Sequence, residues 1–324
     1  MSGAYRIRLP ESEGGIPFEN RADRLDEVKL VLLMGCPRSG TTFLLRCLAA
    51  LPRTQARSGI LVPERLCHVV GAAAGTDARV EDILWAFRDS LWKAFVSGIT
   101  SRAFHARDAA RHLARSPGAL AVLAGRREVE LGRFVMAYKE PFMAFAAERL
   151  VTHFQGARVL HLVRDGRDCA DSLDRAYGSA LSDEVLRADG DLWRRVGSEI
   201  GVARRVGASM VPWWVAEGRE TEFLSAARTE RYLWMWSQAV ERGRRAGAAA
   251  PDRYLEIRYE DLCRDPASSG RAIREFLRVP ASRRFDRVLA GARTGSVGIA
   301  AARGRPEAGP VEARSLLREL GYLP

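Results

Sequence analysis

The sequence has almost no lysine, although it is strongly basic. Of its 51 basic residues only Lys29, Lys93 and Lys139 are lysines, which leaves 48 arginines and a net charge of +11. Richness in arginine and alanine is typical of a GC-rich bacterial genome. No Lys/Arg run is interleaved with aromatic residues, so we expect no nucleic-acid partner. The basic balance by itself suits anionic partners of three kinds, namely nucleic acid, an acidic membrane or a highly charged cofactor.

Cysteine pairs, metal-ligand spacings and long apolar runs are also missing. The five cysteines are odd in number and include no C-x-x-C pair, so we expect no disulfide framework and a reduced, cytoplasmic location. The five histidines show no metal spacing. No stretch reaches about 18 apolar residues, and the first residues lack the apolar core of a signal peptide. We therefore expect no metal and no stable membrane insertion.

Apolar runs alternate with helical patterns along the 324 residues. The runs at 28–35, 133–139, 158–164 and 253–260 predict strands, and helical patterns follow them. This order predicts an α/β fold with three layers around a parallel sheet. We expect residues 1–27 to be a loosely ordered lead-in to a single domain at 28–324. Helical insertions are expected at about 70–130, broken near Gly98 and Pro117, and at about 180–250.

A phosphate-binding loop is predicted between the first strand and the first helix. Residues 35–42 read GCPRSGTT, which is the G-x-x-x-x-G spacing of a P-loop. Backbone N–H groups and the hydroxyls of Ser39, Thr41 and Thr42 are suited to an anion at a helix N-terminus. A P-loop kinase needs lysine at position 41, where this chain has threonine, and its cation is instead Arg38. This loop therefore suits a phosphosulfate better than a triphosphate with Mg²⁺.

A second anion site is predicted after the third strand. Residues 164–172 read RDGRDCADS, and Arg164 falls at the carboxyl end of the strand, where ligands of open α/β sheets bind. Arg164 and Ser172 together suit a phosphate. Asp168 is expected to cap the following helix, and Arg167 and Asp168 to form structural ion pairs.

The two motifs together resemble those of sulfotransferases that use 3′-phosphoadenosine 5′-phosphosulfate (PAPS). PRSGTT at 37–42 is similar to their 5′-phosphosulfate loop, and RDGRDCADS to their 3′-phosphate motif. Arginine in the first loop is typical of the protein and carbohydrate branches, and the nearest resemblance is to the tyrosylprotein and bacterial branch. The resemblance implies a nucleotide-kinase-like fold and PAPS as donor, without a required metal. It implies donor contacts from Arg38, Ser39, Gly40, Thr41, Thr42, Arg164, Ser172, Tyr259, Ser296 and Arg303.

The last three of those contacts, Tyr259, Ser296 and Arg303, come from the C-terminal part of the chain. RYEDL at 258–262 is similar to a family segment whose tyrosine contacts the nucleotide, which implies that role for Tyr259. Ser296 and Arg303 match a family loop that closes over the donor, although a glycine-rich surface loop explains the same residues. Glu260 and Asp261 are expected to make structural contacts.

The resemblance also implies catalytic residues. YKEPF at 138–142 is similar to K-D-P-F of the tyrosylprotein branch, so Lys139 and Arg38 are expected to stabilise the transferring group. Glu64 is the candidate base, although the glutamate of that branch matches positions 58 and 59. His68 and then Glu140 are the alternatives.

The resemblance implies transfer of a sulfuryl group from PAPS to a hydroxyl of a small-molecule, glycolipid or natural-product acceptor. The alternatives are a P-loop kinase that uses ATP and a nucleotide-binding protein without activity. Four tryptophans are expected in the core rather than in an acceptor pocket, namely Trp213, Trp214, Trp234 and Trp236. The oligomeric state is left open.

Overall fold

A parallel five-stranded sheet lies at the centre of the protein. The computed structural model describes residues 22–58, 64–73, 78–104, 131–177, 180–187, 202–303 and 309–324. The strands are β1 (Lys29–Met34), β2 (Thr54–Ser58), β3 (Val135–Lys139), β4 (Arg158–Val163), β5 (Ala203–Val206), β6 (Ser209–Pro212) and β7 (Tyr254–Arg258). The sheet has the order β2-β3-β1-β4-β7, and β5 and β6 form a separate antiparallel hairpin.

Helices connect the strands. They are α1 (Thr41–Leu48), α2 (Glu64–Ala72), α3 (Ala78–Phe104), α4 (Ala147–His153), α5 (Gly166–Tyr177), α6 (Asp183–Arg187), α7 (Glu220–Ser225), α8 (Arg228–Ala249), α9 (Tyr259–Arg264), α10 (Pro266–Leu277), α11 (Arg283–Leu289), α12 (Ile299–Ala302) and α13 (Val311–Glu319). Short 3-10 helices lie at Ala22–Glu27, Leu131–Arg133, Met143–Ala146, Pro251–Arg253 and Thr294–Ser296.

Both faces of the sheet are buried, which explains the continuous apolar runs of its strands. In β1 every residue after Lys29 is buried. Leu30 and Leu32 pack into a core with residues of α2, α3, α4, α5 and α8. Val31 and Leu33 point to the opposite core, which is closed by residues of α1, α9, α10 and α11. The predicted three-layer α/β fold is therefore confirmed.

Strand order places the two predicted anion loops side by side. β1 is the middle strand, with β3 on one side and β4 on the other, and all of these pairs are parallel. The loop at 35–42 leaves the carboxyl end of β1, and Arg164 directly follows β4. Neighbouring parallel strands end at the same edge, so both loops lie on one edge of the sheet.

Several expectations about secondary structure were wrong. Within 180–250, expected to be helical, residues 203–212 form the hairpin β5–β6, turned by Gly207 at φ 58°. Helix α3 continues through Gly98, because one glycine costs a long helix only about 1 kcal/mol. Part of the lead-in is ordered, since residues 22–27 form a 3-10 helix with Leu25 buried. Pro117 and residues 1–21 lie outside the described residues.

Candidate active site

The loop between β1 and α1 is closely packed at both of its glycines. Gly40 precedes α1 at φ 99°, in the left-handed region. A Cβ atom at Gly40 would lie 2.6 Å from Cδ2 of Tyr259, and one at Gly35 would lie 2.5 Å from the carbonyl oxygen of Leu162. Any larger residue at either position would therefore push against the ring or the neighbouring strand.

Polar groups of this loop are available to a ligand. Ser39 is buried, and its hydroxyl has no hydrogen-bond partner within the described residues. Arg38 is exposed and has φ 74°, a conformation that is uncommon for a non-glycine residue and concentrates at functional sites. Thr41 is buried and Thr42 exposed, at the first turn of α1, where backbone N–H groups lack helical partners. The loop thus offers a cation, hydroxyls and N–H donors.

Hydrogen bonds join the two anion loops. Arg164 donates from Nη1 to the carbonyl oxygen of Arg38 at 3.0 Å. Arg38 donates from Nε to Oγ of Ser172, on α5, at 3.0 Å. The carbonyl oxygen of Arg164 accepts a hydrogen bond from Nε1 of Trp236 at 3.0 Å. The structure therefore brings Arg38 of the first motif together with Arg164 and Ser172 of the second.

Tyr259 packs between the two loops. Its ring lies against Gly40, and the guanidinium carbon of Arg164 lies 5.1 Å from the ring centroid. The hydroxyl of Tyr259 donates to the carbonyl oxygen of Arg293 at 3.2 Å and lies 3.2 Å from Oγ of Ser296. Arg164 also donates to the carbonyl oxygen of Ser296. Tyr259 and Ser296 therefore lie beside the predicted loops.

Asp168 anchors the segment that follows Ser296. Its two carboxylate oxygens accept from the backbone N–H groups of Gly298 and Ala300, each at 2.8 Å. The expectation that Asp168 caps its own helix was wrong, because Asp165 takes that place and accepts from the N–H of Arg167 at 2.9 Å. Asp168 is a residue of α5, and through these two hydrogen bonds it instead caps the N-terminus of α12.

Other charged residues near the loops make structural contacts. Arg303, which was predicted to contact PAPS, donates to Oδ2 of Asp171 at 2.8 Å. Its guanidinium group is therefore paired with a buried carboxylate of α5. Arg167 pairs with Asp165 at 2.8 Å, as expected. Glu260 accepts from the N–H of Asp165 at 2.9 Å, which ties α9 to the second loop.

Comparison with known proteins decides the family. A sequence model described as the sulfotransferase family matches residues 31–198 and 201–283, well over half of the chain. The chain belongs to the sulfotransferase family. No curated protein matches it closely enough to count as a relative.

Solved structures similar to this sulfotransferase are distant in sequence. A sulfotransferase domain from the curacin biosynthetic pathway is 15% identical with a TM-score of 0.49, covering 91% of this chain and 98% of its own. One from the olefin synthase of Synechococcus PCC 7002 is 18% identical with a TM-score of 0.45, covering 91% and 96%. The sulfotransferase STF9 of Mycobacterium avium is 17% identical with a TM-score of 0.41, covering 93% and 78%.

The described residues contain neither a metal-binding cluster nor a membrane-spanning helix. Across these residues, no group of three or more His, Cys, Asp or Glu side chains is arranged to hold a metal ion. Over the same ranges, every helix is too short or too polar to cross a membrane.

Lys139 of this sulfotransferase ends β3 at the edge that carries the two loops. In the sheet it is paired with Leu33 of β1 and with Ser58 of β2. The loop that begins at Gly35 starts two residues after Leu33, so Lys139 lies beside the start of the loop. Its neighbour Glu140 is buried and accepts from the hydroxyl of Tyr138 at 3.0 Å, which suits an ordering role better than proton transfer.

The two other candidate bases lie on α2. Glu64 is its first residue, and the placement of its side chain lies outside what the structure describes. His68 is fully buried, and its Nδ1 accepts a hydrogen bond from Nε1 of Trp213 at 3.0 Å. Burial, and then the charge of Arg242, lower the pKa of His68 to about 3. A neutral His68 whose Nδ1 accepts carries its proton on Nε2, so it has no free lone pair for an acceptor's proton.

Sequence reasoning missed the connections among the predicted residues. The capping of α12 by Asp168 and the pairing of Asp171 with Arg303 join residues 132 positions apart, and no local pattern signals them. Three of the four tryptophans are buried, Trp214, Trp234 and Trp236, which agrees with the expected core role. Trp213 is half-buried and lies beside His68.

Proposed function

We propose that this sulfotransferase transfers a sulfuryl group from PAPS to a hydroxyl of a small-molecule acceptor, with glycolipids and natural products included. The observation that carries the proposal is the hydrogen-bonded series Arg164–Arg38–Ser172, which links the two anion loops. A donor with phosphate groups on both the 5′ and 3′ positions of one nucleoside needs two adjacent anion sites. ATP needs one loop with lysine at position 41 and Mg²⁺, and position 41 is threonine.

The side chains at the two loops fit such a donor. The buried hydroxyl of Ser39 has no partner among the described residues, and Arg38 is exposed beside it. Arg164 is buried beside the ring of Tyr259, and Arg38 is hydrogen-bonded to both Arg164 and Ser172. We assign the 5′-phosphosulfate to Arg38, Ser39, Gly40, Thr41, Thr42 and Ser296, the 3′-phosphate to Arg164 and Ser172, and further nucleotide contacts to Tyr259 and Arg303.

The proposed reaction is a single in-line displacement at sulfur. PAPS supplies the sulfuryl group and departs as adenosine 3′,5′-bisphosphate. The acceptor oxygen forms the new S–O bond as the bond from sulfur to the 5′-phosphate oxygen breaks. Glu64 takes the proton of the acceptor hydroxyl. Arg38 and Lys139 stabilise the negative charge on the sulfuryl oxygens and on the leaving phosphate.

The proposal requires no metal ion because Arg38 and Lys139 supply the positive charge. Among the three candidate bases, His68 lacks an available lone pair, and Glu140 is buried against the Tyr138 hydroxyl. Glu64 is therefore the proposed base.

A thermal-shift experiment tests the choice of donor. Adenosine 3′,5′-bisphosphate should raise the melting temperature of the protein in the presence of EDTA, and ATP with Mg²⁺ should have a smaller effect. Stabilisation by ATP with Mg²⁺ alone would instead support the kinase alternative.

Turnover tests the reaction itself. The protein is incubated with PAPS carrying ³⁵S and a panel of phenols, sterols, sugars and glycolipids, and labelled products are separated from the donor. We expect transfer to at least one acceptor without added metal. Tight bisphosphate binding with no transfer to any member of the panel would favour a non-catalytic nucleotide-binding protein.

A further inference from the structure

A large cleft lies away from the two anion loops. It has a volume of about 890 Å³ and is lined by the 3-10 helix at Ala22–Glu27 and by residues of α2, α3, α4 and α8. None of its lining residues belongs to the loops at 35–42 and 164–172 or to the segment at 293–303. Its lining residues Asp26 and Gln155 shortly precede β1 and β4, so the cleft extends towards the edge where the sheet strands begin, opposite the anion loops.

Three arginines line the cleft where α4 meets α8. Arg242 and Arg245 are three residues apart on α8, so they share one face of the helix. Arg149 of α4 lines the same cleft and donates to the carbonyl oxygen of Ala73 at 3.3 Å. Three guanidinium groups around one cavity can bind an oxyanion through several charge-assisted hydrogen bonds.

Arg242 and Arg245 lack carboxylate partners. Within the described part of the chain neither makes an ion pair, and the Nε atom of Arg242 is buried without a hydrogen-bond acceptor. Arg242 packs on the ring of Trp213, at 4.2 Å from the centroid. Burial, and then repulsion from Arg245, lower the pKa of Arg242 to about 10. Glu241 and then Glu148 attract Arg242, and Glu241 also attracts Arg245, in each case from beyond ion-pair distance. Two adjacent cations are therefore held together without a direct ion pair.

The far wall of the cleft is acidic and partly aromatic, since Asp23, Asp26 and Glu81 line it with Arg88 as the one arginine. Arg88 pairs with Asp26, and His153 lies 3.5 Å from Glu81. Trp85 belongs to the same wall. Its side chain is 53% exposed, and among the described residues no other Trp or Phe ring is exposed. On the α4–α8 side three arginines, Arg149, Arg242 and Arg245, face one lining carboxylate, Glu148, so the excess of positive charge in the cleft is on this side, with the aromatic surface on the other wall.

We propose that this cleft binds a phosphorylated or sulfated organic molecule, with the anionic group between Arg242 and Arg245 and the apolar part against Trp85. The volume exceeds what an inorganic anion needs and falls within the range of about 300–1,000 Å³ that is usual for small-molecule sites. The proposal does not depend on the donor or on the reaction, because the cleft shares no residue with the anion loops.

Calorimetric titration of the full chain tests the proposal. The probes are inorganic sulfate, inorganic phosphate and 1-naphthyl phosphate. We expect 1-naphthyl phosphate to bind more tightly than inorganic phosphate, and Trp85→Ala to abolish that difference. Equal affinity of the two phosphates for the wild-type protein would overturn the proposed aromatic contact.

Substitutions at Arg242 and Arg245 test whether 1-naphthyl phosphate binds in the cleft. Arg242→Gln and Arg245→Gln should each weaken binding of 1-naphthyl phosphate by about tenfold or more, the scale of a lost hydrogen bond between charged groups. Arg205→Gln is the matched control, since Arg205 is an exposed arginine of β5 outside the cleft. Arg245 is exposed, so its variant should fold even if Arg242→Gln, which loses the stacking on Trp213, does not.

A second comparison separates the cleft from the anion loops. Arg38→Ala should leave binding of 1-naphthyl phosphate in the cleft unchanged. If Arg38→Ala removes the binding and Arg245→Gln does not, the probe occupies the loops and the proposal is wrong. Failure of 1-naphthyl phosphate to bind the wild-type protein at millimolar concentration would also overturn it.

Discussion

Arg38 donates a hydrogen bond from Nε to Oγ of Ser172 at 3.0 Å, across 134 residues of sequence. Each residue comes from a different anion loop, and Arg164 donates to the carbonyl oxygen of Arg38 from the other side. A proposed ligand with two phosphate groups would meet both loops as one connected surface. Changes in either loop should therefore affect binding of the same nucleotide.

Arg164→Ala should weaken binding of adenosine 3′,5′-bisphosphate by about 1.5–3 kcal/mol, which is the scale for hydrogen bonds to charged groups. The effect should be much smaller for adenosine 5′-phosphate, which lacks the 3′-phosphate. Arg175→Ala is the control, because Arg175 is an exposed arginine on α5 that pairs with Asp171. Calorimetry measures both ligands, and an unchanged affinity for the bisphosphate would remove Arg164 from the 3′-phosphate site.

Gly40→Ala should lower both the melting temperature and the affinity for adenosine 3′,5′-bisphosphate more than a glycine-to-alanine change at a position with open space around it. Gly40 has φ 99°, and a Cβ atom there would lie 2.6 Å from the ring of Tyr259. Gly218→Ala is the matched control, since Gly218 has φ 83° with nothing within 4 Å of an added Cβ. Both variants bear the backbone cost of a left-handed alanine, but only Gly40→Ala displaces the ring. Similar melting temperatures and bisphosphate affinities for the two variants would contradict this packing argument.

Asp168→Asn should loosen the segment from Gly298 to Ala302. The buried carboxylate accepts two backbone N–H groups at 2.8 Å, and an amide retains only one acceptor oxygen. We expect faster amide hydrogen exchange at Gly298 and Ala300 and weaker bisphosphate binding, because Ser296 lies two residues before this segment. Asp174→Asn, on the same helix, is the control because Asp174 pairs with Arg228 instead. Unchanged exchange at both N–H groups would count against the anchoring role.

The three inner strands of the sheet could be predicted from the sequence because they are buried on both faces. β1, β3 and β4 are apolar runs, and such runs are typical of parallel strands. β2 could not be predicted, since its sequence TQARS is mostly polar and it lies at the edge of the sheet. The hairpin at 203–212 was also missed, because its strands have only four residues each and pair with each other rather than with the central sheet.

The candidate site was predictable where residues are close in sequence. The glycine spacing at 35–42 and the order strand, loop, helix placed Arg38 and Ser39 in a loop without knowledge of the fold. Contacts between distant segments could not be predicted. Asp168 and Ala300, for example, are 132 residues apart in sequence, and only the folded chain brings them within hydrogen-bond distance. The base also could not be chosen from sequence, since the burial of His68 depends on Trp213 and on the rings of Phe142 and Phe145.

Glu64→Gln should lower kcat for sulfuryl transfer by about 10²–10⁴-fold, the usual range for loss of a general base. The KM for PAPS should change little, because the proposed role of Glu64 concerns the acceptor proton. Glu81→Gln is the control, since Glu81 lies on α3 and contacts His153 instead. Steady-state kinetics with one accepted phenol or sterol measure both constants. Retained activity in Glu64→Gln would transfer the role of base to another residue.

His68 should make the stability of the fold depend on pH in mild acid. Its pKa is lowered to about 3 in the folded protein, mainly by burial, whereas an unfolded histidine titrates near pH 6.5. Between these values the unfolded chain binds the extra proton, so the free energy of unfolding is highest above pH 6.5 and falls as the pH drops towards 3. The slope from this one residue should approach about 1.4 kcal/mol per pH unit.

Urea unfolding of the wild-type protein and of His68→Gln between pH 7 and pH 4 measures that contribution. His68→Gln removes the titrating group while keeping an acceptor for Trp213, so its stability should fall less steeply with acid even though its stability at pH 7 is lower. The pKa of His153 is also lowered, by burial, so His153→Gln serves as the comparison for a half-buried histidine. If His68→Gln and the wild-type protein lose stability in parallel, His68 does not remain neutral in the folded state, and the argument against it as the catalytic base fails with it.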